Sequence, residues 1–176
     1  MIHRIISGIV SRLRNLYWKS RGVRIRGYCR LGRIDIPREH RALEFEKDVA
    51  LEDGCSFIIS SVEGRSPPRL KVGANSYFNR GVILDACELL TIGQSVMIGP
   101  NSYITDHDHA LKGDRSDLIS QPTCIEDAVW IGANVCILKG VTVGAGSVIG
   151  AGSVVTKSVP PNCLAVGNPA KVVREL

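Results

Sequence analysis

Aliphatic residues return every six positions through the second half of the chain without a miss: Ile125, Ile131, Ile137, Val143, Ile149 and Val155. The residue four places after each is small or β-branched, namely Val129, Val135, Val141, Ser147, Ser153 and Val159, and Gly132, Gly144 and Gly150 directly follow an aliphatic position. Earlier runs keep the period in another phase, as Val72, Phe78 and Leu84, then Ile92, Ile98 and Ile104, and more weakly Leu51 and Phe57. A period of six matches neither the α-helix, at 3.6, nor the amphipathic strand, at 2. It matches a coil with three flat sides, each side one short strand and one turn, whose inward aliphatics stack on their equivalents one coil away. Adjacent coils are then parallel strands ~4.8 Å apart. The pattern predicts an all-β solenoid.

The N-terminal segment follows a different rule. Ile2, Ile5, Ile6, Ile9, Val10, Leu13, Leu16 and Tyr17 recur at helical spacing, while Arg4, Ser7, Ser11, Arg12 and Arg14 fall largely elsewhere around the axis. This predicts an amphipathic helix within residues 1–22, its apolar side packed on the body and covering an open end of it. A helix lying on an anionic membrane through residues 1–17 is the alternative. Residues 23–166 are then the solenoid, with a loop insertion at 105–124, and residues 167–176 a C-terminal tail.

Composition narrows the class. The chain has 176 residues, 44% hydrophobic and 22% charged, with only 5% aromatic and 18 glycines, which describes a globular protein with many turns and small inward side chains. Its net charge of +5 is uneven: residues 1–41 carry eleven Lys/Arg against Asp35 and Glu39, so that segment is +9 and the remainder −4. Tyr17, Trp18 and Tyr28 are too few aromatics among those cations for a nucleic-acid surface. The six cysteines, at 29, 55, 87, 124, 136 and 163, form no C-x-x-C pair and read as free thiols. With no export signal, they place the expected location in the cytoplasm. No apolar run approaches the ~20 residues of a membrane span.

The repeat breaks once in its second half. After Ile104 the next hexad is due at 110 but resumes only at Ile125, fifteen residues late. The insertion opens Thr105-Asp106-His107-Asp108-His109-Ala110 and runs on through Lys112, Asp114, Arg115 and Asp117 to Gln121-Pro122. Four titratable side chains in a row after an inward aliphatic are not expected in a core. They suit a solvated loop tip, a metal site, or a general base oriented by a carboxylate, Asp106 or Asp108. For a metal, an extended segment would put His107 and His109 on one side with no further His or Cys near in sequence, and none is expected.

The tail from Val155 through Pro160-Pro161-Asn162 and Gly167-Asn168-Pro169-Ala170 to Arg174, together with the hexads, resembles the hexapeptide-repeat acyltransferases. Within that family it is most similar to the maltose, galactoside and Nod-factor O-acetyltransferases and to those of surface-polysaccharide clusters, over residues ~70–176. The resemblance implies a left-handed parallel β-helix, a homotrimer with sites between neighbouring prisms, and acetyl-CoA as co-substrate. It implies a catalytic histidine nine residues after Pro100, which is His109, with His107 next in line. Asn79 falls where the family binds the acceptor, although a turn role suits it equally. Gly81 stands where the family has Asp or Asn, so that acceptor contact is either lost or supplied by Asp85.

For the donor, Trp130 matches the indole lining the pantetheine groove, and is otherwise an aromatic buried between subunits. Ala133 and Ala151 match backbone donors to coenzyme A, and Thr156, Lys157 and Lys171 match its basic end. The implied activity is acetyl transfer from acetyl-CoA to a sugar or saccharide hydroxyl with a histidine base and no covalent enzyme intermediate. N-acetylation of an amino sugar and serine O-acetylation are alternatives, and a non-catalytic β-helix scaffold is the alternative of another class.

Overall fold

The computed structural model describes residues 2–60, with side chains from residue 8, then 69–111, 114 and 116–176. Short parallel strands stack into three sheets that form the sides of a prism. Side A runs Arg24–Ile25, Leu43–Phe45, Arg69–Val72, Leu89–Ile92, Thr123–Ile125 and Thr142–Val143. Side B runs Arg30–Leu31, Ala50–Leu51, Tyr77–Phe78, Met97–Ile98, Trp130–Ile131, Val148–Ile149 and Cys163–Gly167. Side C runs Ser56–Ile59, Ile83–Ala86, Tyr103–Thr105, Cys136–Ile137 and Val154–Val155.

The register explains the hexads. On side B, Leu31, Leu51, Phe78, Ile98, Ile131, Ile149 and Ala165 stand in one inward column, and on side C so do Phe57, Leu84, Ile104, Ile137 and Val155. All are buried, so each aliphatic is covered above and below by its own equivalents. Buried serines stitch the corners: Ser102 Oγ donates to Gly132 O at 2.9 Å and accepts from Val135 N at 3.1 Å. Ser76 and Ser147 do the same in their coils. At Gly132 a Cβ would stand 2.6 Å from Ala151 N, so only glycine lets the next coil approach.

Two features differ from the expectation. The chain's three phenylalanines, Phe45, Phe57 and Phe78, are all fully buried, in early coils that run longer than three hexads, so this part of the core is built on large aromatics. Helix α1, Ile2–Ser20, does cover an open end, but with its polar side inward. The physical reason lies in what a solenoid end presents. The first coil has backbone groups with no coil beneath them, and these need hydrogen bonds rather than apolar cover. Ser11 Oγ accepts from Leu31 N, Asn15 Oδ1 accepts from Cys29 N, Asn15 Nδ2 donates to Cys29 O at 2.6 Å, and Arg14 Nη1 donates to Leu31 O. Of the helix's aromatics, Trp18 packs on the core.

The other end is closed by chain reversal: Ala170–Glu175 turns back and pairs antiparallel with Cys163–Gly167. The six cysteines are not joined in disulfides, and burial pushes the thiols of Cys29 and Cys55 up to about 11.

Candidate functional site

After Thr105 the chain leaves side C and makes a hairpin, His107–His109 antiparallel to Leu118–Ser120, with His107 opposite Ser120 and His109 opposite Leu118. Gln121 N donates to Asp106 O at 2.8 Å as the chain returns to the prism. Lys112 and Arg115 lie outside the described residues.

Asp106, expected to stay out of the core, is 0% exposed. Its carboxylate accepts from Cys87 N at 2.7 Å, from Glu88 N at 2.8 Å and from His107 Nδ1 at 3.1 Å. The coil from Phe78 to Ile98 is two residues longer than three hexads. The wide corner at Cys87-Glu88 presents two amides inward, and the aspartate satisfies both.

His107 is mostly enclosed. Its Nδ1 donates to Asp106, which leaves Nε2 of the neutral ring with its lone pair facing Asp85 Oδ1 at 3.8 Å. The hydrogen bond to Asp106 raises the pKa of His107 above its ordinary 6.5, and the Asp85 charge adds to the effect while burial opposes it. Asp85 Oδ2 accepts from the Tyr103 hydroxyl at 2.9 Å, and Asp85 Oδ1 is buried without a hydrogen-bond partner among the described residues. Burial and this carboxylate push the Tyr103 phenol up, so it stays a donor. The imidazole Nε2 thus stands beside a carboxylate, and in the neutral ring it is a proton acceptor of the kind that suits a ligand hydroxyl or amine.

His109 is exposed toward the hairpin tip. Asp108 forms an ion pair with Lys139, so of the two carboxylates considered as orienting partners it is Asp106 that holds a histidine.

The remaining residues divide between two corners. Thr156 and Lys157 follow Val154–Val155 on side C and are exposed at the corner from which the hairpin leaves. Trp130 stands outward on side B, 53% exposed, with Ala133 and Ala151 at the corner between sides B and C, one coil apart. Lys171 is exposed on the reversed strand opposite Val166 at the edge of side B. Asn79 lies on that same B-to-C corner, where its Oδ1 accepts from Arg80 N at 2.8 Å, a turn role.

Amides two places after an inward aliphatic differ in what they meet. Arg33 N, Gln94 N and Ala145 N, each two places after an inward aliphatic, donate to Asp53, Asp127 and Glu126. Among the described residues the amides of Ala133 and Ala151 have no protein acceptor. Two unsatisfied donors beside an exposed indole fit an extended amide-bearing chain such as pantetheine. Within one chain, side C separates this corner from His107. Among the described residues no three His, Cys, Asp or Glu side chains are grouped to hold a metal.

Sequence reasoning missed Tyr103 and Lys139. Both were accessible by laying the coils over one another: Thr105 stacks on Asp85, placing Tyr103 beside it, and Lys139 falls two places after Ile137 as Asp106 does after Ile104.

The model of the bacterial transferase hexapeptide, six repeats, matches residues 123–157. Galactoside O-acetyltransferase of Escherichia coli K12 is 40% identical over 110 residues, 61% of this chain and 54% of that enzyme. A hexapeptide-repeat acetyltransferase from Vibrio cholerae, crystallised with acetyl-coenzyme A, is 35% identical with a TM-score of 0.58, covering 70% of this chain and 71% of that one. The chain belongs to the hexapeptide-repeat acetyltransferases. It spans little more than half the length of the curated relatives it matches. An N-acyltransferase from Bacillus cereus, solved with dTDP and 3-hydroxybutyryl-CoA, is 16% identical but superposes with a TM-score of 0.74 over 92% of this chain and 87% of that one. That likeness extends the left-handed β-helix of the hexapeptide-repeat acetyltransferases to the early coils, where the hexads are faint.

Proposed function

We propose that this chain transfers an acetyl group from acetyl-CoA to a sugar or saccharide hydroxyl, with His107 as the general base. The observation that carries the reading is the Asp106–His107 pair, whose free Nε2 faces the unsatisfied Asp85 oxygen. Asp85 accepts one hydroxyl of the acceptor and Nε2 takes the proton from the reacting one. The oxygen attacks the thioester carbonyl carbon, the C–S bond breaks, and the departing thiolate takes the proton back from Nε2. The Ala133 and Ala151 amides and Trp130 receive the donor, with Lys157 and Lys171 meeting its phosphates. The same proton transfer would serve an amine acceptor, but an amine needs less help from a base. A scaffold would have no use for a buried carboxylate holding a histidine against an unsatisfied oxygen.

The donor corner and His107 converge between copies, in a homotrimer. The outward residues differ by side in a way that supports this. Side A carries Arg24, Glu44, Arg69, Lys71, Leu89, Thr91, Cys124 and Thr142, whereas side B, past Arg30, carries Ala50, Tyr77, Met97, Trp130, Val148 and Leu164, and side C carries Ser56, Ile58, Ile83, Asp85, Tyr103, Cys136 and Val154, so sides B and C are the more apolar ones. Two unlike apolar sides docked head to tail close a ring. The test is transfer of labelled acetyl from acetyl-CoA to free and nucleotide sugars, with light scattering of the same sample. Acetylation of a sugar hydroxyl by a trimer is expected; coenzyme A binding with no transfer to any sugar, or an active monomer, would overturn the reading.

A further inference from the structure

Helix α1 is mounted with its apolar side outward. Ser11 and Asn15 are 3% and 6% exposed, whereas Ile9, Leu13, Leu16 and Tyr17 are 54%, 60%, 65% and 54% exposed. Those four recur at i, i+4, i+7 and i+8, which is one line along the helix. Chains seldom leave such a line bare in water without a use for it.

The charge beside the line says what covers it. The helix contains no Asp or Glu. Arg12 and Lys19 are exposed within it and Arg21 just beyond it. Among the described residues none of the three has a carboxylate within ion-pairing distance, while Arg24, Arg26, Arg30 and Arg33 on the coils behind are paired with Glu44, Glu46, Glu52 and Asp53. Three unpaired cations therefore stand on or next to the helix that carries the apolar line. A second copy offering the same face would bring two such sets of cations together. Among the described residues no helix is long and apolar enough to cross a membrane, but one that lies flat needs only a stripe.

We propose that α1 docks on an anionic membrane surface, with Ile9, Leu13, Leu16 and Tyr17 at the headgroup boundary and Arg12, Lys19 and Arg21 against lipid phosphates. The hydrogen bonds of Ser11, Arg14 and Asn15 fix the helix to the first coil, so the prism stands over the bilayer and its sites open on the water side. This holds whatever the acceptor is, because none of these residues belongs to the acetyl-transfer site.

The full chain should be floated with phosphatidylcholine vesicles with and without phosphatidylglycerol, at low and high sodium chloride. Binding to the anionic vesicles is expected to exceed binding to the neutral ones at least tenfold and to fall at least as much at high salt. Leu13→Asp with Leu16→Asp should abolish binding with melting temperature and helix content unchanged, since both side chains already face solvent. Arg12→Glu with Lys19→Glu should remove the preference for anionic lipid. Equal binding to both vesicle types, or binding unaffected by the two aspartates, would overturn the proposal. So would an aspartate variant whose sedimenting mass drops, because the stripe would then be a contact between copies.

Discussion

The regular coil around Ile131 and the interrupted one at Asp106 bury opposite chemistry in the same prism. In the first, the inward positions Ile125, Val129, Ile131, Val135, Ile137 and Val141 are all aliphatic, and one coil on their places are taken by aliphatics or by the corner serines Ser147 and Ser153. In the second, a carboxylate lies inside, held by two amides and holding a histidine at the surface of side C. The difference fits the division of labour proposed above. A coil that only stacks can be built from exchangeable aliphatics, whereas a coil that positions a proton acceptor needs a group found nowhere else in the column.

The widest break in that comparison is at the histidine. His107→Ala is expected to lower kcat by about 10²-fold to 10⁴-fold, the usual range for a general base, with acetyl-CoA affinity by calorimetry nearly unchanged. His109→Ala should leave kcat within about threefold, because the ring is exposed and Asp106 does not hold it. The reverse result would move the base to His109.

In the regular coil the loss falls on stability. Ile131→Ala removes a buried side chain stacked between Ile98 and Ile149 and should cost about 2–5 kcal/mol in urea unfolding. Catalysis per folded molecule should hardly change. A cost below about 1 kcal/mol would mean that the column collapses around the gap.

Asp106→Asn probes both functions at once. The amide can still accept from one of the two backbone N–H groups but leaves the other short, which costs about 1–3 kcal/mol. It also removes the charge that favours imidazolium. In the wild type the base works only when neutral, so activity should fall as pH drops through a His107 pKa that lies above 6.5; in Asp106→Asn that acidic limb should move to lower pH. The stability contribution has the opposite pH sense. Because the folded pKa is raised, the stabilisation is complete below the unfolded value and is lost as pH rises through the folded one. A purely structural Asp106 would change the melting temperature and leave the limb in place.

The sequence made the prism visible because its constraint repeats: the column Ile125, Val143 and its neighbours can be read from spacing alone. The site was legible only in part. Thr105-Asp106-His107-Asp108-His109 marked the place, but five polar residues in a row carry no sign of which one turns inward. That depends on the amides of Cys87 and Glu88, which come nineteen and eighteen residues earlier and look unremarkable in their own coil. Counting from Pro100 pointed to His109, whereas the carboxylates Asp106 and Asp85, whose positions spacing does not reveal, stand beside His107. The helix failed to reveal its mounting for a related reason. Amphipathic spacing separates two sides, but which side meets protein was decided by the backbone groups of Cys29 and Leu31, and those attract Ser11 and Asn15.

The smallest effect is expected where the hairpin rests on the regular coils. Lys139 stands at the corner above Asp106 and pairs with Asp108 on the hairpin strand. Asp108 is nearly half exposed, so water screens the pair and Lys139→Met should change unfolding stability by less than about 1 kcal/mol. The pair does, however, tie the strand that carries His107 to the rigid corner. Loosening it should lower kcat a few-fold, about 2–5-fold, by widening the range of ring positions. The acidic limb should stay where it is, because Asp106 and Asp85 still face the ring. A shift of the limb in Lys139→Met would mean that the charges of the Lys139–Asp108 pair set the His107 pKa as well as its position, and the division between a coil that supports and a hairpin that reacts would have to be redrawn at that corner.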